Sequence, residues 1–438
     1  MSDSSYSSNM KIGMQTWGSH GDMRPFLALA EGLQAAGHDV HLVLTCVDSG
    51  AYAGIVSKHG VRITVLASPV LTPDQMEQQG RTVYGIRNPF KQTAAILAQC
   101  FAPVEDRMFD AARRLAADAD VLIGHFFMHP LQIAAEQAGK PYVSVVLSHV
   151  VIPSAFHYPL DLPVGRIGKR LLWRLTRRLL HRTLAHYPNR LRRQLGMPLT
   201  TDLMTQVWLS GDLTLAAISP QLCQAQPDWP AAVRLCGFLD TPNLDIEGSV
   251  PDTLAAFLAA GEAPVYMSFG SWMPRDLAGQ TEALHLLTQA ARIAGCRAII
   301  QSPAAGDCGF LSDERILYVP AAPHQAIFPH CRAVVHHGGA GTTQSATLAG
   351  KPSIVVANIG EQEHWGRELR RLGIGARPAR RRSVTAAGLA RRIRQVLASP
   401  DMAVKAGAVA AAMKQEDGVA EAVRLVMARF GARHCEAA

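Results

Sequence analysis

No apolar run in this 438-residue chain approaches the roughly 20 residues needed to cross a bilayer. The start, MSDSSYSSN, has no apolar stretch of the kind a secretory signal carries, so a cytoplasmic protein is expected. The eight cysteines, at 46, 100, 223, 236, 296, 308, 331 and 435, contain no C-x-x-C pair. Scattered thiols of this kind point to a reduced protein, with no disulfide framework and no zinc site. Nucleic-acid-reading motifs are missing, and no basic stretch carries interleaved aromatics for bases to stack on. Nucleic acid is therefore set aside as a partner despite a net charge of +8. Short internal repeats are missing too. Acidic residues are absent from one long stretch, Arg166–Arg193.

What is present describes a folded α/β protein. At 48% hydrophobic and 18% charged residues, the composition supports sizeable cores, and the length implies two or three domains. Strand patterns fall at Lys11–Trp17, His41–Thr45, Val61–Leu66, Val121–Gly124 and Tyr142–Leu147. Helical patterns sit between them, one from about Pro25 to Ala36 and another at Leu131–Ala138. A second series runs through Val265–Phe269, Ala298–Gln301, Ile316–Val319, Ala333–His336 and Ser353–Val356. Alternation of this kind gives doubly wound parallel sheets. We expect one domain over 1–240, a linker at 241–250 (TPNLDIEGSV) and a second domain over 251–438. The last helix, Ala420–Phe430, either closes the second domain or crosses back onto the first. Ligands of such sheets bind beyond the carboxyl ends of the strands, which makes the cleft between the halves the default site.

The most informative segment is VVHHGGAGTTQSATLAG, Val334–Gly350. An apolar strand ends in two histidines, and glycines 338, 339 and 341 lead into Thr342-Thr343 and a helix start. Glycines let the backbone approach a ligand closely, and the first free N–H groups of a helix attract anions, phosphates above all. Threonine hydroxyls add donors, and a histidine adds a donor or a positive charge. A glycine turn alone would be ordinary; flanked by these residues it is expected to be a diphosphate site.

Arginines 166, 170, 174, 178 and 182 recur every fourth residue beside Ile167, Leu171, Leu175 and Leu179. Both sets form stripes on one helix. The ordinary expectation is that the apolar stripe packs on the first domain and the arginines face solvent. The run at Arg377 and Arg380–Arg382 reads as a solvated loop.

The motifs VYMSFGSW (Val265–Trp272), APHQAIFPHCRAVVHHGGAGTT (Ala322–Thr343) and EQEHWGRELRRLGIG (Glu361–Gly375) resemble one family. QPDWPAAVRLCGFL (Gln226–Leu239) and GSHGDMRPFLALAEGLQAAGHDV (Gly18–Val40) extend the resemblance over nearly the whole chain. The family is the UDP-glycosyltransferases with two facing Rossmann-like domains, the GT-B architecture. It includes sterol glucosyltransferases and the macrolide and glycopeptide antibiotic transferases. The resemblance implies an inverting, metal-independent hexosyltransferase. A nucleoside diphosphate sugar would bind the C-terminal domain as co-substrate, and a lipophilic small-molecule acceptor the N-terminal domain. A non-catalytic activator of a partner enzyme is the alternative within the family.

The resemblance places His337 on the diphosphate, with Ser271, Gly339, Gly341 and Thr342 as further donors. Glu361 and Gln362 would read the sugar hydroxyls, where the family usually has Asp-Gln. Gln344-Ser345 stands where many relatives carry a ribose-binding glutamate, and Ala321 where plant relatives carry a tryptophan. Uridine and thymidine donors both remain open. Asp118-Ala-Asp120 matches a metal-binding D-x-D on paper, but it falls just ahead of a strand and reads as structural.

For the base, many relatives use a histidine three residues before a proline. Here that position is Asp22, in a G-S-x-G-D setting found in one sub-group. A structural reading is that Asp22 caps the helix beginning near Pro25. In histidine-based relatives an aspartate on a later strand orients the imidazole, and the matching place falls near His125. Either Asp22 is the base with His125 behind it, or His125 or His20 is the base and Asp22 its partner. The lipophilic acceptors of the family add a second reading of Arg166–Arg193, as a peripheral membrane contact.

Overall fold

A computed structural model describes residues 9–47, 52–69, 72–160, 162–240, 252–274, 276–321 and 323–437. Two compact units are present. The first comprises Met1–Val70, Thr93–Thr241 and Glu416–Ala438, the second Leu71–Gln92 and Pro242–Gln415. The expected linker at 241–250 lies outside the described residues.

Up to residue 240 the strands are β1 (Lys11–Gly18), β2 (Asp39–Cys46), β3 (Arg62–Val65), β4 (Val121–His125), β5 (Tyr142–Val146), β6 (Leu213–Ala216) and β7 (Val233–Leu235). The helices are α1 (His20–Ala35), α2 (Pro73–Gly85), α3 (Pro89–Ile96), α4 (Glu105–Asp118), α5 (His129–Gln137), α6 (Arg166–Leu184) and α7 (His186–Gln194). Beyond residue 251 follow β8 (Val265–Met267), β9 (Ala298–Gln301), β10 (Ile316–Val319), β11 (Ala333–His336), β12 (Ser353–Ala357) and β13 (Ala379–Arg380). Their helices are α8 (Asp252–Ala259), α9 (Leu277–Ala294), α10 (His324–Ile327), α11 (Ala340–Leu348), α12 (Gly360–Arg371), α13 (Ala386–Leu397), α14 (Pro400–Met413) and α15 (Gly418–Ala437).

All strand pairs among the described residues are parallel. The first sheet runs β3-β2-β1-β4-β5-β6-β7 and the second β10-β9-β8-β11-β12-β13. Strands β1, β4, β5 and β12 are buried almost throughout, as expected of parallel strands covered on both faces. In the second unit, Val265, Met267, Val335, Ile354 and Val356 pack on Leu284, Leu287 and Ile393 from α9 and α13. Strands β6, β7 and β13 were not expected from the sequence; β7 and β13 are short edge strands with few side chains to reveal a period.

Three expectations need correction. Helix α1 begins at His20 rather than near Pro25, so Pro25 lies inside it. The earlier start is set by Ser19, whose carbonyl accepts from Asp22 N (2.9 Å) and Met23 N (3.2 Å). Proline so near the start removes only a single ladder bond. Helix α15, for which the sequence leaves both placements open, groups with the first unit. It packs on α1 where Gly32 lacks a side chain, since a Cβ there would lie 2.3 Å from Val419 Cγ1. Residues 71–92 group with the second unit, where the Gln92 amide donates to the Asn358 carbonyl at 3.5 Å.

The third correction concerns α6. The stripe expected to pack inward faces outward: Ile167 is 75% exposed, Leu171 56%, Leu175 54% and Leu179 37%. The buried side chains of the helix are Trp173, Leu180 and Leu184. No single helix among the described residues is long and apolar enough to cross a membrane. The seven described cysteines are free thiols.

Candidate active site

Strand order reverses between β1 and β4 in the first sheet and between β8 and β11 in the second. At such points the connections leave in opposite directions, opening a crevice at the carboxyl ends of the strands. Most of the candidate residues lie at these two places.

In the first unit, β1 ends at Gly18 and β4 ends at His125. Asp22, on the first turn of α1, places Oδ1 3.6 Å from His125 Nε2, too long for a hydrogen bond. Its other oxygen, Oδ2, accepts from Ser19 N (2.7 Å) and Ser19 Oγ (3.0 Å). Gly18 makes room for this arrangement. Its φ is +143°, and a Cβ there would fall 2.3 Å from Asp22 Oδ2. Burial raises the Asp22 carboxyl to about 6, against the pull of the Ser19 hydrogen bonds. A carboxylate in this range is suited to accepting a proton near neutrality.

His125 differs sharply. Its side chain is 3% exposed, against 29% for Asp22, and it is packed among the rings of Phe26, Phe126 and Phe127. Burial lowers it to about 3, so it is neutral at physiological pH. Neither ring nitrogen has a hydrogen-bond partner among the described residues. His20 turns to Tyr52, with Nδ1 3.1 Å from the hydroxyl. The structure therefore brings Asp22 and His125 together and pairs His20 with Tyr52, a residue the sequence did not single out. Asp22 is not the N-cap of α1; Ser19 is, and Asp22 reaches back to it from the third helical position. The spacing S-x-x-D in SHGD is a shortened form of the capping-box signature and was the available signal.

In the second unit, β11 ends in His336, and His337 follows at the head of the glycine loop. The Gly338 N–H donates to His336 Nδ1 at 3.1 Å, fixing that ring. Gly338 has φ +90°, and a Cβ there would lie 2.7 Å from the Gln362 carbonyl oxygen. A Cβ on Gly339 would lie 2.4 Å from His337 Nε2, and one on Gly270 would lie 3.0 Å from His337 Cε1. Glycines thus pack closely around the imidazole, joining the loops after β8, β11 and β12. Burial lowers His337 to about 4, so it offers a hydrogen bond rather than the positive charge left open by the sequence. Helix α11 starts at Ala340 with Gly339 as its N-cap, leaving the first N–H groups of Ala340, Gly341 and Thr342 without helical partners.

Ser271 is exposed on the single turn Gly270–Trp272, and Gly341 and Thr342 are half-buried on α11. Thr343 is fully buried, its hydroxyl without a partner among the described residues. Glu361 is half-buried on the first turn of α12. Gln362 is buried, and its Oε1 accepts from Asn358 N (2.7 Å) and Ile359 N (3.4 Å). Its oxygen thus caps α12, leaving the NH₂ group as what it can present.

The paired aspartates ahead of β4 make local contacts. Asp120 Oδ2 accepts from the Lys11 backbone N–H (2.8 Å), and Asp118 Oδ1 meets Lys11 Nζ at 3.0 Å. His129, given no role by the sequence, joins a buried cluster: its Nε2 is 2.5 Å from Glu105 Oε1, and Arg190 donates to Glu105 Oε2 at 2.6 Å. Burial works to raise the Glu105 carboxyl, but these two partners outweigh it and hold it below its usual value. The cluster ties α4, α5 and α7 together.

Comparison with known proteins agrees with both halves. Residues 12–150 match the glycosyltransferase family 28 N-terminal domain, and residues 297–428 the erythromycin biosynthesis protein CIII-like C-terminal domain. An uncharacterized glycosyltransferase of Mycobacterium leprae (strain TN) is 30% identical over 93% of this chain and 94% of its own. The chain belongs to the UDP-glycosyltransferase family. The O-mycaminosyltylonolide 6-deoxyallosyltransferase of Streptomyces fradiae is 29% identical over 95% of this chain and 97% of its own. Among solved structures, the glycosyltransferase VinC in complex with dTDP aligns over 97% of this chain and 100% of its own, with a TM-score of 0.64 at 19% identity. The fold is therefore GT-B, and the loop clusters where strand order reverses in each sheet hold the candidate site residues of this glycosyltransferase.

Proposed function

We propose that this glycosyltransferase moves a hexosyl group, with inversion and without a metal ion, from a UDP- or dTDP-sugar to a hydroxyl of a lipophilic acceptor. Sterols, polyketides, macrolides and hydroxy-lipids are the acceptor classes in view. The observation that carries the reading is the glycine loop drawn tightly around a neutral His337 at the start of α11. A leaving nucleoside diphosphate gains negative charge in the transition state, and fixed N–H donors aimed at it lower the barrier. His337, the N–H groups of Gly341 and Thr342, the Thr342 hydroxyl and Ser271 supply such donors. Glu361 and the Gln362 NH₂ group are the sugar-reading pair. The bound dTDP of VinC and the macrolide-type substrate named for the Streptomyces fradiae enzyme support this assignment of donor and acceptor.

On the other unit, Asp22 is the base. As the acceptor oxygen forms its bond to the anomeric carbon, the bond from that carbon to the diphosphate oxygen breaks, and the acceptor proton passes to the Asp22 carboxylate. Asp22 is the more exposed of the pair, and its raised affinity for protons suits the task. His125, buried, neutral and behind it, is a positioning residue that adds no competing charge. His20 is left with Tyr52. The test is incubation with UDP- and dTDP-sugars and a panel of lipophilic alcohols, read as nucleoside diphosphate release. Release that depends on both donor and acceptor is expected. Release that ignores the acceptor, or none with any donor, would overturn the proposal.

A further inference from the structure

Helix α6 carries an outward face that none of the described residues covers. At 100° per residue, Ile167, Leu171 and Leu175 lie opposite the buried Trp173, Leu180 and Leu184, and they are 54–75% exposed. Arg174, Arg178 and Arg182 share this outward half, and Arg170 borders it. All four are exposed, and among the described residues none has a carboxylate within 4.0 Å. Arg177, by contrast, is turned inward and paired with Asp202. The apolar ribbon continues backwards along the chain through exposed Leu160, Leu162 and Val164.

An unpartnered apolar ribbon on a monomer surface marks an interaction site. Its chemistry selects the partner. The face is a straight strip about 28 Å long, by the rise of a 19-residue helix. It is edged by arginines and contains no acidic residue from Arg166 to Arg193. Leucines on one face with arginines beside them suit a surface that is apolar below and anionic above, which is the headgroup region of an anionic bilayer. A second copy of this chain would bring its own arginines against these, a repulsive arrangement in the absence of intervening carboxylates.

We infer that α6 seats the protein on anionic membranes, its Ile167–Leu171–Leu175 ribbon among the lipid chains and Arg170, Arg174, Arg178 and Arg182 on the lipid phosphates. This does not rest on the glycosyl-transfer reading, because no residue of α6 belongs to either candidate site. The orientation would hold the enzyme where lipophilic hydroxyl compounds partition.

The experiment is co-sedimentation of the whole protein with phosphatidylcholine vesicles, with and without phosphatidylglycerol. Binding to the anionic vesicles is expected, weakening as added salt shortens the screening length. Replacing Arg170, Arg174 and Arg178 by glutamine should reduce partitioning roughly 100-fold at low salt, about fivefold per arginine. The exposed changes Ile167→Ser, Leu171→Ser and Leu175→Ser, made together, should reduce it roughly tenfold or more while leaving the melting temperature unchanged. No binding to anionic vesicles overturns the inference, as does binding that both sets of changes leave intact. Equal binding to neutral vesicles overturns the role of the arginines. A dimer in sedimentation equilibrium that Leu171→Ser dissolves would assign the face to a second copy instead.

Discussion

Replacing Asp22 by asparagine separates catalysis from structure at one atom pair. The amide keeps an oxygen for Ser19, whose N–H and hydroxyl meet the carboxylate at 2.7 and 3.0 Å. Asparagine serves helix starts about as well as aspartate. The carboxyl titrates at about 6 in the folded protein, above its ordinary 3.8, because burial disfavours its charge. In the unfolded chain it loses its proton earlier, so the native state binds more protons between these values. Stability therefore falls as pH rises from about 4 to about 6 and is flat above. With partial solvent access, ionised Asp22 costs the fold about 1–3 kcal/mol at pH 7. Asp22→Asn should remove that fall, leaving a protein at pH 7.5 at least as stable as the wild type. Its rate, in contrast, should drop roughly 10²–10⁴-fold, the contribution of a general base.

The pH profile makes the test sharper. Wild-type kcat/KM should fall on the acid side with an apparent value near 6, since the base is about 90% ionised at pH 7 and about 10% at pH 5. His125 and His337 titrate at about 3 and about 4 and cannot produce that limb. The assays are initial rates across pH 4.5–8.5 (about this span, set by the limb) and urea unfolding at matched pH. An Asp22→Asn enzyme of normal rate, or one that keeps the limb near 6, would refute the reasoning. The base would then have to be sought elsewhere, first at His20.

His337→Ala should weaken donor binding and lower turnover roughly 10²–10³-fold, as expected on losing one charge-stabilising donor; calorimetry with UDP and dTDP checks the affinity. Gly339→Ala should weaken donor binding with little change in the acid limb, because its Cβ would press on His337 Nε2 at 2.4 Å and displace the imidazole. Chelation by EDTA should leave the rate unchanged, since α11 and the side-chain donors take the place of a cation; a loss restored by Mg²⁺ or Mn²⁺ would contradict this.

Much of this architecture was legible because parallel strands buried on both faces announce themselves as apolar runs. Strand ends at Gln301, Val319 and His336 coincide with the structure for that reason. Short edge strands such as Ala379–Arg380 carry no period and were invisible. The glycine loop could be read as a ligand loop, but only the structure reveals that Gly339 and the distant Gly270 both press on the His337 imidazole. The start of α1 was misjudged by giving Pro25 the first helical position, when Ser19 and Asp22 had already opened the helix. For α6 the periodicity was right and the direction wrong. Two stripes of equal pitch do not say which faces inward, and Trp173, Leu180 and Leu184 decide it.

The central claim is direct displacement at the anomeric carbon by an acceptor hydroxyl activated by one unit, with the diphosphate held by the other. The configuration of the product tests it most directly. Proton NMR of the glycoside formed from an α-linked donor reads the anomeric coupling. The account predicts a β-glycoside from the wild-type enzyme with no α-product; an α-glycoside as the initial product would contradict it.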